Sequence, residues 1–448
     1  PATAQVVNSS RETLLRLLAE NARPLAALKD QEALVDHARK VMMVTLEIDP
    51  GPHVHFGPLT LQGLESVEPD YIMRALNWPR GEPFDRTRIQ QLRRRLSDMN
   101  LFDTIRVELA TQPDENGELP ATMTLLERKH KSIGFGASFS SDEGFGGEVF
   151  WEHRNLLGKG ERLRTSLNGT EIRQSAIADY EKPNYLVLDQ SLLLRGELRH
   201  QDSDAFREKT IEGFVGLRRE FDELWSGSLG LRPEITRVDD NESDEESYLG
   251  LGLPVTATRD SSDNLLDPRD GTRLTLGLTP NVGEFSGPVA FLSSEARASA
   301  YWTPLESDVL TFAGRTRIAS IVGEETEDIP AHRRIYSGGG GSIRGYEFQS
   351  VGPLAQNNDP EGGRSALELG LEARFRFQET YGVVPFIEGG TAYDENFPDF
   401  EQTIRWAAGI GLRYYTVAGP LRFDIAFPIN PRRTDENFEF YISFGQAF

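Results

Sequence analysis

Residues 366–377 read Ala-Leu-Glu-Leu-Gly-Leu-Glu-Ala-Arg-Phe-Arg-Phe. Side chains alternate across an extended chain, so Leu367, Leu369, Leu371, Ala373, Phe375 and Phe377 share one face, and Glu368, Glu372, Arg374 and Arg376 the other. The same period recurs at 421–427, where Leu421, Phe423, Ile425 and Phe427 alternate with Arg422, Asp424 and Ala426, and at the end of the chain, where Phe438, Phe440, Ile442 and Phe444 share a face. A soluble β-sandwich also alternates, but its polar face meets water; opposite charges facing one another suit an enclosed lumen behind a lipid-facing wall.

Working outward, about ten-residue alternating segments separated by Gly, Pro, Asp and Asn clusters run back to Ser132. Eleven precede a long loop near 322–365 and five follow it. This predicts an all-β, transmembrane, 16-stranded antiparallel β-barrel over 131–448, its first strand at 132–140 and its last at 438–448.

Upstream the period changes. Residues 51–130 predict a complete α+β module in the order β-α-α-β-β: a strand at 55–63, a helix at 69–76 with proline in its first turn, and a helix at 85–99 with Ile89, Leu92, Leu96 and Met99 as its stripe. A strand through Ile105, Val107 and Leu109 follows, then a turn at Asn116-Gly117 and a closing strand at 122–127. Residues 1–50 predict the C-terminal half of a similar module: a helix at 10–20 capped by Ser10, a strand at 32–36, a polar turn at 37–40 and a strand at 41–49. Pro1 opens no leader pattern, and the chain is expected to begin inside a longer mature protein.

Composition bounds the function. Hydrophobic residues make up 38% of the chain and no apolar run approaches the roughly 18 residues of a spanning helix. A net charge of −22 argues against a nucleic-acid partner. The absence of cysteine is compatible with an oxidising compartment. His153, His200 and His332 lack metal-ligand spacing, no nucleophile elbow is present, and neither cofactor nor enzymatic chemistry is expected. The acidic run 239–246 reads as a solvated surface loop.

The loop at 337–346 reads Ser-Gly-Gly-Gly-Gly-Ser-Ile-Arg-Gly-Tyr. Its glycines permit tight, left-handed turns, so the loop could fold back into the barrel and carry the Arg344 cation to a lumenal carboxylate. Glu388, Glu368 and Glu372 are the candidate partners.

Here the sequence resembles the BamA/TamA superfamily of outer-membrane insertases and transporters. Ile343, Arg344, Gly345 and Tyr346 match its loop tetrad; Phe386-Ile387-Glu388-Gly389-Gly390 resembles its Phe-x-Asp-x-Gly strand motif, with Glu388 where Asp is usual. Gly409-x-Gly411-Leu412-Arg413 with Gly419-Pro420-Leu421-Arg422 resembles the following hairpin, and the α+β module resembles a POTRA domain. Residues 152–161, Asp260 to Asn264 with Pro268 and Gly271, Val35-Asp36-His37 and Asp49-Pro50-Gly51-Pro52 are most similar to the TamA-type branch, with BamA-type assembly proteins and two-partner secretion transporters as alternatives. The resemblance implies a bacterial outer-membrane location with the POTRA region in the periplasm, autotransporter or other barrel clients, and a TamB-like, inner-membrane-anchored partner. It also implies a lateral gate between first and last strands at Gly134, Phe135, Gly136, Phe444, Gly445 and Phe448. Gly134, Gly136 and Gly445 suit such a seam, because glycine adds no cross-strand packing.

Overall fold

A computed structural model of the chain describes residues 4–448 except 37, 40, 241–244, 305–308, 379, 417–418 and 445. The chain divides into two compact units: Pro1–Lys131 with His153–Arg162, and Ser132–Glu152 with Leu163–Phe448.

The first unit begins with α1 (Ala4–Glu20), followed by the strands β1 (Ala27–Asp36) and β2 (Val41–Asp49), which form an antiparallel pair. Helix α1 starts six residues before Ser10, which therefore lies inside it rather than capping it. Val6 lies about two turns before Leu14 and Leu17 on the same helix face, and nothing between breaks the helix. Strand β1 starts at Ala27 rather than 32; most of it is exposed, so its polar first half shows no alternation to read. The expected turn at 37–40 includes two positions outside the described residues; at its start the Asp36 carboxylate accepts hydrogen bonds from the Ala38 and Arg39 N–H groups.

Next come β3 (His55–Gln62), α2 (Pro69–Leu76), α3 (Arg86–Asp98), β4 (Phe102–Leu109) and β5 (Glu118–Glu127), in a sheet of order β3-β5-β4 with β3 parallel and β4 antiparallel to β5. Asp85 caps α3 by accepting the Thr87 N–H at 2.7 Å. Leu92 and Leu96 from α3, Tyr71, Ile72 and Leu76 from α2, and Met123 and Leu125 from β5 close one core.

The barrel strands are β6 (Lys131–Ser140), β7 (Gly144–His153), β8 (Arg162–Gly169), β9 (Arg173–Lys182), β10 (Gln190–Asp202), β11 (Arg207–Glu220), β12 (Trp225–Asp239), β13 (Glu246–Gly252), β14 (Val255–Asp260), β15 (Gly271–Glu284), β16 (Pro288–Trp302), β17 (Leu310–Val322), β18 (Ser365–Phe377), β19 (Tyr381–Tyr393), β20 (Arg405–Thr416), β21 (Gly419–Pro428) and β22 (Glu439–Phe444). They form a closed antiparallel barrel in chain order, β22 returning to β6. β13 and β14 each pair with both β12 and β15, so they are halves of one strand interrupted at Leu253-Pro254, where proline has no N–H to give the ladder. The barrel therefore has sixteen strands, eleven before the long loop and five after it. On β18, Glu368, Glu372 and Arg374 are buried inside while Leu369 and Leu371 are exposed outside; on β21, Arg422, Asp424 and Ala426 are inside and Leu421, Phe423 and Phe427 outside. Part of the acidic run 239–246 lies outside the described residues.

The last strand is shorter than expected. It ends at Phe444; beyond it the Gln446 side-chain oxygen accepts from Arg413 Nε at 3.0 Å and the Phe448 carbonyl oxygen from Arg374 Nη2 at 2.8 Å.

Candidate functional site

The loop between β17 and β18 supplies a fully buried cation to the barrel. Gly338 and Gly339 take φ of +107° and +96°, and Gly345 takes +98°, a region costly for residues with a Cβ. The Gly345 backbone runs so close to the wall that an added Cβ would stand 3.0 Å from the Ala407 Cβ. Ile343 and Tyr346 are buried on either side, the Tyr346 hydroxyl 3.1 Å from the Trp406 carbonyl oxygen.

Between them Arg344 is fully buried. Its Nη2 donates to Glu372 Oε1 and Glu388 Oε1, each at 2.8 Å, its Nη1 to Asp424 Oδ2 at 2.6 Å and its Nε to Glu388 Oε2 at 3.1 Å. The Arg344 backbone N–H also reaches Glu388 Oε2 at 2.9 Å, and the guanidinium lies 3.5 Å from the centre of the Phe386 ring. Three carboxylates this close would repel one another without a cation between them. More guanidinium groups ring the same acids: Arg315 on Glu388, Arg374 on Glu372, and Arg413 and Arg422 on Asp424. Removing one member of such a network leaves buried charge uncompensated, a penalty of about 3–5 kcal/mol.

Two of the three expected partners, Glu388 and Glu372, thus meet Arg344. Glu368 does not: it accepts from Arg317 Nη1 at 2.7 Å and from the Ser337 hydroxyl at 2.9 Å. Sequence reasoning missed Asp424, although its inward position was plain from the alternation. It also missed a second anchor at the base of the loop. There His332 Nε2 lies 2.6 Å from Glu234 Oε1 on β12, and Arg333 pairs with Glu234 and, at 3.3 Å, with Glu212 on β11.

The loop tip also touches both sides of the closure between β22 and β6. The Gly345 N–H donates to the Tyr441 hydroxyl on β22 at 3.1 Å, and the Gly340 N–H to Asp142 Oδ2 in the turn after β6 at 3.2 Å. At the closure itself, the register among the described residues comprises two pairs, Tyr441 with Ser140 and Ile442 with Phe139. Ser141 adds backbone and hydroxyl bonds to Phe440 and a hydroxyl bond to Glu439. By contrast, β21 and β22 share six pairs and β10 and β11 thirteen.

The residues expected to line this seam are placed unevenly. Gly134, Phe135 and Gly136 sit on β6 before the paired stretch, and Phe444 ends β22; neither group belongs to the two pairs. Phe135 is exposed on the outer wall, and the space over Gly134 is filled by the Phe150 ring from β7. Gly445 lies outside the described residues. Phe448 is away from the seam: its carbonyl oxygen accepts from Arg374 Nη2 at 2.8 Å, and the Arg315 and Arg374 guanidinium groups each lie 5.4 Å from its ring centre.

A family profile described as the Omp85 superfamily domain matches residues 155–448, and one described as surface antigen variable number repeat, the POTRA profile, matches 54–128. The outer membrane protein assembly factor BamA of Nitratidesulfovibrio vulgaris is 24% identical over 434 residues, covering 94% of this chain and 54% of that protein. BamA of Neisseria meningitidis is 22% identical, covering 91% and 58%. The chain thus spans about half the length of the curated relatives it matches. In fold it is similar to BamA from Haemophilus ducreyi lacking POTRA domains 1–3, with a TM-score of 0.82 at 17% identity over 99% of this chain and 94% of that one. It is similar, less closely, to CdiB from Acinetobacter baumannii, with a TM-score of 0.59 at 14% identity over 98% and 81%.

Proposed function

This chain belongs to the Omp85 superfamily, and from that premise we propose that it resides in a bacterial outer membrane, its POTRA region in the periplasm, and inserts other β-barrel proteins by opening between β6 and β22. The observation that carries this reading is the two-pair seam. A ladder hydrogen bond contributes about 1 kcal/mol net, so this closure parts at less cost than the six-pair ladder between β21 and β22 beside it. A parted edge of unpaired N–H and C=O groups is a template for an incoming strand. Gly134, Phe135, Gly136 and Phe444 lie along the stretch beyond the paired residues, where a client strand would first add, with Phe448 held inside. The process moves apolar strands from water into lipid and requires no catalytic group.

The test uses the absence of native cysteine. Phe139→Cys with Ile442→Cys places two thiols at directly opposed positions. Oxidised protein in lipid vesicles should fail to insert a barrel client and recover on reduction. Insertion at the same rate by the locked barrel would overturn the reading.

A narrower version has its own support in the sequence at 152–161 and 260–264: clients of the autotransporter type and a TamB-like partner at the POTRA region. The curated relatives bear the BamA name, which supports a broader client range. Depleting the protein and comparing autotransporter with porin assembly separates the two, and a purified TamB-like protein binding the POTRA region supports the first. The fold likeness to CdiB keeps a two-partner secretion role in view, for which export of a soluble passenger is the discriminating measurement.

A further inference from the structure

The outer wall carries a row of basic residues that the seam and the loop do not use. His200 on β10 stands opposite Lys209 on β11, and Lys209 opposite Arg237 on β12, with Gln174 of β9 opposite His200. Two residues along each strand and on the same face, Ala176, Leu198, Ile211 and Ile235 stand opposite one another in the same way. Leu198, Ile211 and Ile235 are each more than half exposed, so this second row is part of the lipid-facing band. The two rows line a concavity of about 730 Å³ on the barrel exterior.

Its electrostatics are unbalanced. One row further along, Arg207 is neutralised by Asp202 at 3.1 Å and Asp239 at 4.0 Å. Among the described residues neither Lys209 nor Arg237 has an ion pair or a side-chain hydrogen bond. Like charges directly opposite one another destabilise a strand pair. The arrangement therefore calls for an anion from outside the chain, at a level where an apolar band begins.

The height of the row is set by the strands. On β12 the outward positions run from Trp225 to Arg237, twelve residues at about 3.3 Å each; a tilt of about 40° gives roughly 30 Å, the thickness of a hydrocarbon core. Strand β6 runs from Lys131 to Ser140 and its neighbours alternate in direction, so β6, β8, β10 and β12 all end at one rim, and Lys209 and Arg237 lie near it.

We propose that this concavity binds an anionic, phosphate-bearing acyl lipid, its phosphate against Lys209 and Arg237 beside His200 and its chains along Leu198, Ile211 and Ile235. Arginine and lysine are the usual phosphate donors, and basic residues at a membrane surface attract anionic headgroups in this way. That the lipid belongs to the outer leaflet rests on the orientation given under Proposed function; its chemistry does not.

The test is native mass spectrometry of the full chain in detergent, offered equal amounts of lipid A, phosphatidylglycerol and phosphatidylcholine. The wild type should retain the two anionic lipids over phosphatidylcholine, and Lys209→Gln with Arg237→Gln should lose that retention by roughly tenfold. Arg207→Gln, at a cation already neutralised, should leave it unchanged, and heat-dependent gel mobility should show all variants folded. Equal retention by the double variant, no preference for anionic lipids, or retention abolished by inorganic phosphate at low concentration would each overturn the proposal. None of these outcomes depends on insertion of clients, so failure here leaves the seam reading standing.

Discussion

The hydroxyl of Tyr441 and the backbone N–H of Gly345 meet at 3.1 Å, joining the tip of the inward loop to the last strand of the barrel. Tyr441 is also one of the two seam residues of β22 in register with β6. Tyr441→Phe keeps the ring and leaves a buried N–H unpaired, at a cost of about 1–3 kcal/mol. Amide hydrogen exchange should accelerate in β22 and in the last residues of β6, with other strands unaffected. Unchanged protection at the seam would show that the loop does not brace it.

Arg344→Ala strands three buried carboxylates, and the loss should be on the order of 3–5 kcal/mol. Arg344→Lys should recover only part of it, because one ammonium cannot span Glu388, Glu372 and Asp424 as the guanidinium fork does. The readouts are the urea midpoint in detergent and the temperature at which folded mobility is lost on an unboiled gel. Adding Glu388→Gln to Arg344→Ala should cost less than the sum of the single losses, since both act on one network.

Gly345→Ala meets two obstacles: a φ of +98°, and side-chain carbons at 3.0 Å (Ala407) and 3.2 Å (Ala426) from the new Cβ. Gly341→Ala in the same loop meets nothing within 4 Å and has no left-handed φ. The first should shift the loop and alter Trp406 fluorescence through Tyr346; the second should be close to silent. Equal behaviour of the pair would mean that the loop is not seated at Gly345.

Glu127, in the first unit, accepts hydrogen bonds from the backbone of Glu65, Ser66 and Val67 and from the Ser66 hydroxyl and His130. Burial pushes its carboxyl up, but these bonds outweigh burial and hold it at about 2. A folded value below the unfolded one means that the stability is fully present above the usual carboxylate range near 4 and is lost as pH falls towards 2. Glu127→Gln should reduce stability by about 1–3 kcal/mol at pH 7 and flatten the unit's dependence on pH between 4 and 2. Hydrogen exchange at the start of α2, followed against pH, checks this.

The barrel was legible because its two faces differ in chemistry at every second residue, so β18 and β21 could be assigned lipid and lumen sides from sequence. Even the strand interrupted at Pro254 counted correctly. The carboxylates that meet Arg344 were only partly legible. Glu372, Glu388 and Asp424 come from β18, β19 and β21, and their convergence depends on cross-strand register, which places Glu388 opposite Gly370 rather than Glu372. The anchor at His332 and Arg333 left no periodic trace, because a loop's path through a lumen is set by its end points. Strand β1 is longer than its sequence pattern shows for the converse reason: an exposed hairpin has no buried face to impose alternation.

The ring of charge around Arg344 also has an electrical consequence. Arg315, Arg344, Arg374, Arg413 and Arg422 bring five positive charges to the three negative ones of Glu372, Glu388 and Asp424, a local surplus of two. In a chain with a net charge of −22, the lumen around the seated loop is therefore cationic. Whatever current leaks past the loop across a planar bilayer should be carried by chloride in preference to potassium.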